Sequence, residues 1–168
     1  MAEIIKVFRD DVPAMKFIGK VYPDFGPWWG DWFENGWFDE IEIAMGGPDA
    51  ILKIWENGGG YVGLERREGG KLAEYRIGMF TPENTRAPEG FEALDFPAGT
   101  FGTCWIYGPE DEVHGAIPSC AAAVSEAGMR FRTDADGFVV SFENGLCPRF
   151  TTPDDKGCVI LDYCFYVL

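Results

Sequence analysis

A chain of 168 residues, 46% hydrophobic and 15% aromatic, is long enough to bury one sizeable core and too apolar to remain disordered. Its 28 acidic and 14 basic residues give a formal net charge of −14 with no Lys/Arg cluster. That argues against direct nucleic-acid binding and favours cationic molecules or basic protein surfaces as partners. The start, Met1-Ala2-Glu3, is acidic, and no stretch approaches the roughly 18 apolar residues of a membrane span, so a cytoplasmic protein is expected. Cys104, Cys120, Cys147, Cys158 and Cys164 are scattered with no CxxC pair, which fits free buried thiols better than a disulfide framework or a zinc site.

Along the chain the pattern repeats faintly, as halves of about 1–84 and 85–168 within one domain. Pro13-Ala14 leads into an alternating strand over 15–22, with Met15, Phe17, Gly19 and Val21 opposite Lys16 and Lys20. Trp28, Trp29, Trp32, Phe33, Trp37 and Ile41 then recur at helical spacing, broken by Gly30 and Asn35-Gly36. Asp49 is placed to cap a short helix, and Gly58-Gly59-Gly60 reads as a flexible connector. Two strands follow, over 61–67 and 72–80, turning at Glu68-Gly69-Gly70; the stretch 81–89, rich in proline and charge, links the halves.

The second half repeats the order. Pro97-Ala98 precedes a largely apolar strand over 100–107, in which Phe101, Thr103, Trp105 and Tyr107 oppose Cys104 and Ile106. Ile117, Cys120, Ala121 and Val124 form a narrow helical stripe, with Pro118 near its start and Gly128 at its end. Strands over 138–143 and 159–167 close the chain, and Asp154-Asp155-Lys156-Gly157 between them fits a turn rather than a calcium loop. β-α-β-β, twice, predicts an α+β sandwich with antiparallel sheets and a helix on one side of each half.

One carboxylate stands out. In the run Phe138-Val139-Val140-Ser141-Phe142-Glu143, alternation puts Phe138, Val140 and Phe142 on one face and Glu143 on the other. An acid among apolar residues is costly without compensation, so Glu143 predicts a pocket for a positive or electrophilic ligand. Periodicity leaves open which face of the 100–107 strand meets it. Trp105 and Tyr107, with Phe101 on their side, are favoured because a π-face and a hydroxyl complement an anion and a planar cation. Four tryptophans cannot all bury on one narrow helix face, which makes Trp29, Trp32 and Phe33 candidates. Tyr61 and Tyr75 could present hydroxyls from the opposite wall, and Tyr163 of the closing strand joins the set. His114, the only histidine, lies beside Glu110-Asp111-Glu112 and reads as a solvated helix-end residue, so neither a Ser-His-Asp triad nor a metal or cofactor site is expected.

The ordered set Pro13-Ala14-Met15-Lys16-Phe17-Ile18-Gly19, Pro88-Glu89-Gly90-Phe91, Phe96-Pro97-Ala98-Gly99, Phe142-Glu143, Cys147-Pro148-Arg149-Phe150 and Val159-Ile160-Leu161-Asp162-Tyr163 resembles the GyrI-like family. These small-molecule-binding domains are named for a bacterial gyrase inhibitor and also serve as effector-binding domains of AraC-type and MerR-type regulators. The resemblance implies two βαββ halves about a pseudo-two-fold axis, with a ligand cleft between them that is lined by aromatics and holds one acid, matching Glu143. The chain departs from the family pattern at Glu143-Asn144-Gly145, where an aromatic two residues after the acid is usual; the second wall must come from elsewhere.

The expected function is a stand-alone binding protein for small hydrophobic or cationic, drug-like molecules. One alternative implied by the resemblance is a hydrolase of strained, cyclopropane-type electrophiles with Glu143 positioning water. Another is an acidic module that docks on a basic protein such as gyrase. No helix-turn-helix fits beside the two halves.

Overall fold

The computed structural model describes all residues, 1–168. Eight strands form one antiparallel sheet: β1 (Glu3–Val12), β2 (Met15–Tyr22), β3 (Tyr61–Glu68), β4 (Lys71–Pro82), β5 (Glu92–Phe96), β6 (Gly99–Pro109), β7 (Val139–Gly145) and β8 (Cys158–Val167). Helices α1 (Trp29–Asn35), α2 (Trp37–Ala44) and α3 (Asp49–Leu52) separate β2 from β3. A 3-10 helix (Val113–Ser119) and α4 (Cys120–Glu126) separate β6 from β7. The strand order is β1-β6-β8-β7-β3-β4-β2-β5. The α+β class is as the sequence predicts, but the expected separate sheets are one, because β7 pairs directly with β3.

The order reads alike from both ends. β6-β8-β7 is mirrored by β2-β4-β3, and the repeat meets itself at the β7–β3 junction. Two strands lie outside the sequence expectation. β1 precedes β2 yet pairs with β6, and β5 precedes β6 yet pairs with β2, so each edge strand crosses to the other half. Both edges resist further pairing: β1 carries a bulge between Ile4 and Lys6, and β5 is short and bears Glu92 and Asp95.

The sheet curls on itself. β4 and β6 are four positions apart, roughly 19 Å in a flat sheet, yet the rings of Phe80 and Phe101 lie 5.6 Å apart. Phe142 of β7 lies 5.0 Å from each, and Phe17, Trp55, Phe96 and Tyr166 complete the cluster with aliphatic neighbours. α3 packs Ile51 into this cluster, so the helices do not all lie on one side as expected; the others cover the opposite face in two groups. α1 and α2 cover β2 and β4 through Trp32, Phe38 and Ile41; the 3-10 helix and α4 cover β6 and β8 through Val113, Cys120 and Val124. Gly36, at φ 66°, breaks the tryptophan-rich stretch into α1 and α2 and turns both toward the sheet. No helix is long and apolar enough to cross a membrane.

Gly58-Gly59-Gly60 is a close approach rather than a loose connector. Gly58 and Gly60 are buried, and a Cβ at Gly60 would fall 2.0 Å from Asn144 Oδ1. All five cysteines are unpaired; Cys104, Cys120 and Cys164 are buried, whereas Cys147 is exposed and Cys158 partly so.

Phe80 touches aromatic rings from both halves, so Phe80→Ala removes the contact that closes the curl. A loss of about 3–5 kcal/mol is expected in urea unfolding, and a loss under 1 kcal/mol would mean the two inner faces are not one core.

Candidate functional site

Between the two helix groups the outer faces of β3 and β7 form the floor of a groove. Alternation in β7 sends Val140 and Phe142 into the aromatic core, which leaves Ser141, Glu143 and Gly145 facing the groove. On β3, Val62 and Leu64 are likewise core, and Tyr61, Gly63, Glu65 and Arg67 face outward. Register then fixes the neighbours. Glu143 stands opposite Gly63 on one side and Tyr163 on the other; Glu65 stands opposite Ser141 and Tyr75. The two acids thus occupy equivalent positions about the pseudo-two-fold junction.

They have different partners. Glu65 is buried, accepts 2.6 Å from the Tyr163 hydroxyl and pairs with Arg67. Ser141 Oγ–H completes this cluster, 3.0 Å from Tyr163 Oη. Glu143 keeps 22% of its side chain exposed and accepts 2.8 Å from His114 Nε2–H on the 3-10 helix. Tyr75 Oη accepts from Trp29 Nε1–H at 2.9 Å, which leaves its own proton available. Over Gly63, Tyr75 Oη and Glu143 Oε1 converge to 2.4 and 2.9 Å from where a Cβ would stand.

Two cavities meet at the His114–Glu143 pair. The larger, about 460 Å³, is walled by Trp29, Phe33, Tyr61, Phe150 and Leu161, with Glu143 as its only carboxylate. Phe33 is 61% exposed at its mouth, and Tyr61 is held by stacking on Phe38 at 3.9 Å. The smaller, about 270 Å³, runs past Gly63 to Phe25, Tyr75, Tyr163 and the Glu65–Arg67 pair. Burial and then the Glu143 charge push the Tyr75 hydroxyl far above the usual tyrosine range; burial and Glu65 do the same to Tyr163. His114 is raised from the ordinary histidine value by its hydrogen bond to Glu143, against partial desolvation, with the Glu143 and Glu110 charges adding to the rise. An aromatic chamber with one carboxylate can take an apolar cation: ring faces attract it and the carboxylate balances its charge.

No protein-family model matches the sequence, and no curated protein does. Solved structures do match. A putative transcription regulation protein from Staphylococcus aureus MU50 aligns at TM-score 0.63 and 11% identity, over 96% of this chain and 97% of that one. SAV2435 bound to tetraphenylphosphonium aligns at TM-score 0.67 and 11% identity, over 98% and 94%. EcmrR, in a DNA complex, aligns at TM-score 0.59 and 13% identity, over 96% of this chain and 57% of that one. The chain has the GyrI-like fold.

Within this GyrI-like fold the sequence candidates separate. Glu143, Trp29, Phe33 and Tyr61 line the larger cavity; Tyr75 and Tyr163 line the smaller. Four candidates lie elsewhere. Trp105 and Tyr107 face away from the groove, because Cys104 and Ile106 of the same strand pack under the second helix group. Trp105 instead packs edge-on to Phe8 with Arg149 over its ring, and the Tyr107 hydroxyl donates to Asp154. Phe101 is fully buried in the central cluster. Trp32 is fully buried under α2, its indole N–H satisfied by Tyr22.

Two groove residues escaped sequence reasoning. His114 was expected in solvent, and although half its side chain is exposed, it is tied to an acid 29 residues away. Phe150 supplies the wall missing after the acid: its ring lies over Gly145, 3.1 Å from a Cβ position there. The Glu143-Asn144-Gly145 departure was the available signal, since a glycine in a strand marks a close approach.

A methyl group at Gly63 would strike Tyr75 Oη and Glu143 Oε1 together. Gly63→Ala is expected to keep the fold, judged by far-UV circular dichroism, while moving both groups in a crystal structure. Unmoved Tyr75 and Glu143 in the variant would refute the convergence.

Proposed function

We propose that this protein binds small hydrophobic cations in the larger chamber, with Glu143 as their counter-charge. The observation that carries this reading is a single carboxylate in a wall that is mainly aromatic and aliphatic, with His114 and Thr151 as the other polar side chains beside the Tyr61 hydroxyl. Water would serve a carboxylate better than such a wall, so the arrangement favours a cation that brings its own apolar surface. The neighbour solved with tetraphenylphosphonium supports it, since that ligand is a cation shielded by four aromatic rings. Direct DNA reading is not part of the proposal: the chain is strongly acidic and the EcmrR alignment spans only 57% of that chain.

One observation favours a second reading. Tyr75 Oη and Glu143 Oε1 converge over Gly63, as a proton donor and a water-positioning base would in opening a strained electrophilic ring. Recovery of intact compound after incubating cyclopropane-type electrophiles with the protein counts against this hydrolase.

Tetraphenylphosphonium should quench tryptophan fluorescence, with Trp29 in the chamber wall. Glu143→Gln should weaken that binding roughly ten- to thirty-fold, about 1.4–2 kcal/mol. Equal affinity in both proteins would remove Glu143 from the site.

A further inference from the structure

The His114–Glu143 pair stands where the two cavities meet, and both touch it. The histidine is weakly held. Half its side chain is exposed, Glu143 is its hydrogen-bond partner, and its ring contact to Phe150 is an edge at 6.4 Å. The smaller cavity gives the imidazole somewhere to go. The equivalent acid, Glu65, has no such loose partner: Arg67 neutralises it in place and the Tyr163 hydroxyl donates to it.

We propose that His114 is a resident cation that an incoming ligand must displace from Glu143, which makes His114 a specificity-determining residue. This rests on the cation-binding reading above. A neutral ligand that evicts the imidazolium strands a partly buried carboxylate without compensation, whereas a permanently charged ligand replaces one counter-ion by another. His114 thus selects permanent cations over neutral molecules of the same shape, and between the ordinary histidine value and its raised one eviction releases its proton.

The charged and titratable groups facing His114 are Glu143 of β7, Glu110 ahead of the 3-10 helix, Glu65 and Arg67 of β3, Tyr75 of β4 and Tyr163 of β8. Glu65 and Arg67 neutralise each other, and both tyrosines stay protonated across neutral pH. The two acids that remain, Glu143 and Glu110, both raise His114. Because its folded value lies above its unfolded one, the pair stabilises the free protein fully below about pH 6.5, and that stability is lost as pH rises through the folded value. Cation affinity runs the other way. It should increase with pH, by at most about tenfold per unit for one released proton, and level off above the folded value of His114.

The chain holds one histidine, so its imidazole signals in NMR need no assignment. With tetraphenylphosphonium as probe, the His114 midpoint should lie above the ordinary histidine value in free protein and fall toward it at saturation. Binding followed from about pH 5.5 to about pH 8.5 should tighten with pH in the wild type. In His114→Gln it should be flatter and tighter at the acidic end. Binding with an unmoved or raised midpoint, or the same pH profile in both proteins, overturns this inference alone. Absence of binding by either protein at every pH overturns the cation-binding reading and this inference with it.

Discussion

The antiparallel pairing of β3 with β7 is the contact on which the core and the groove both depend. It joins two three-stranded units into one sheet and sets Glu143 opposite Gly63. Because side chains alternate, the same register buries Val140 and Phe142 among the rings of Phe80 and Phe101. A slip of one residue would drive Glu143 into that cluster, where nothing could pair with it, and would expose Phe142 in the groove. The position of the carboxylate is therefore enforced by the aromatic core on the other side of its own strand.

The exchanged edge strands add rigidity to that arrangement. β1 belongs to the first half of the sequence but hydrogen-bonds to β6, and β5 returns the exchange on β2. The short links Pro13-Ala14 and Pro97-Ala98 therefore tie the two sides of the sheet together in addition to the β3–β7 seam. With Phe80 against Phe101 across the curl, the groove floor is a preformed surface, so little ordering cost falls on whatever enters it. The exposed side chains of the groove, Phe33 and His114, stand at its rim.

The sequence shows those parts of this design that depend on local pattern. Strands β2, β3, β4, β6, β7 and β8 follow from alternation and turn residues, and Gly36 marks the break between α1 and α2. β1 does not announce itself: it lies at an edge, half-exposed on both faces, and alternates poorly. β5 has five residues, two of them acidic. For Glu143, one strand's alternation was enough to give its face. For Trp105 and Tyr107 it was not, because both faces of β6 are covered by something. Which cover is helix and which is sheet edge is a tertiary fact. His114 and Phe150 belong to the same class, since each matters only through a residue brought to it by the fold.

The pseudo-two-fold junction also sets two equivalent acids in unlike surroundings. Glu65 and Glu143 are equivalent, as are Tyr75 and Tyr163, and Ser141 stands where Gly63 does in the other half. At one end Ser141 fills the space beside Tyr163 and bonds its hydroxyl, which in turn locks onto Glu65 beneath Arg67. At the other end glycine supplies no side chain, and Tyr75 Oη and Glu143 Oε1 occupy the space over its bare backbone without a hydrogen bond between them. Burying an acid is tolerable in the first case because its partners are permanent. In the second the acid keeps a solvent-facing edge and a partner that can leave. The two acids therefore differ through two neighbours each: Ser141 and Arg67 beside Glu65, Gly63 and His114 beside Glu143, on adjacent strands of the same floor.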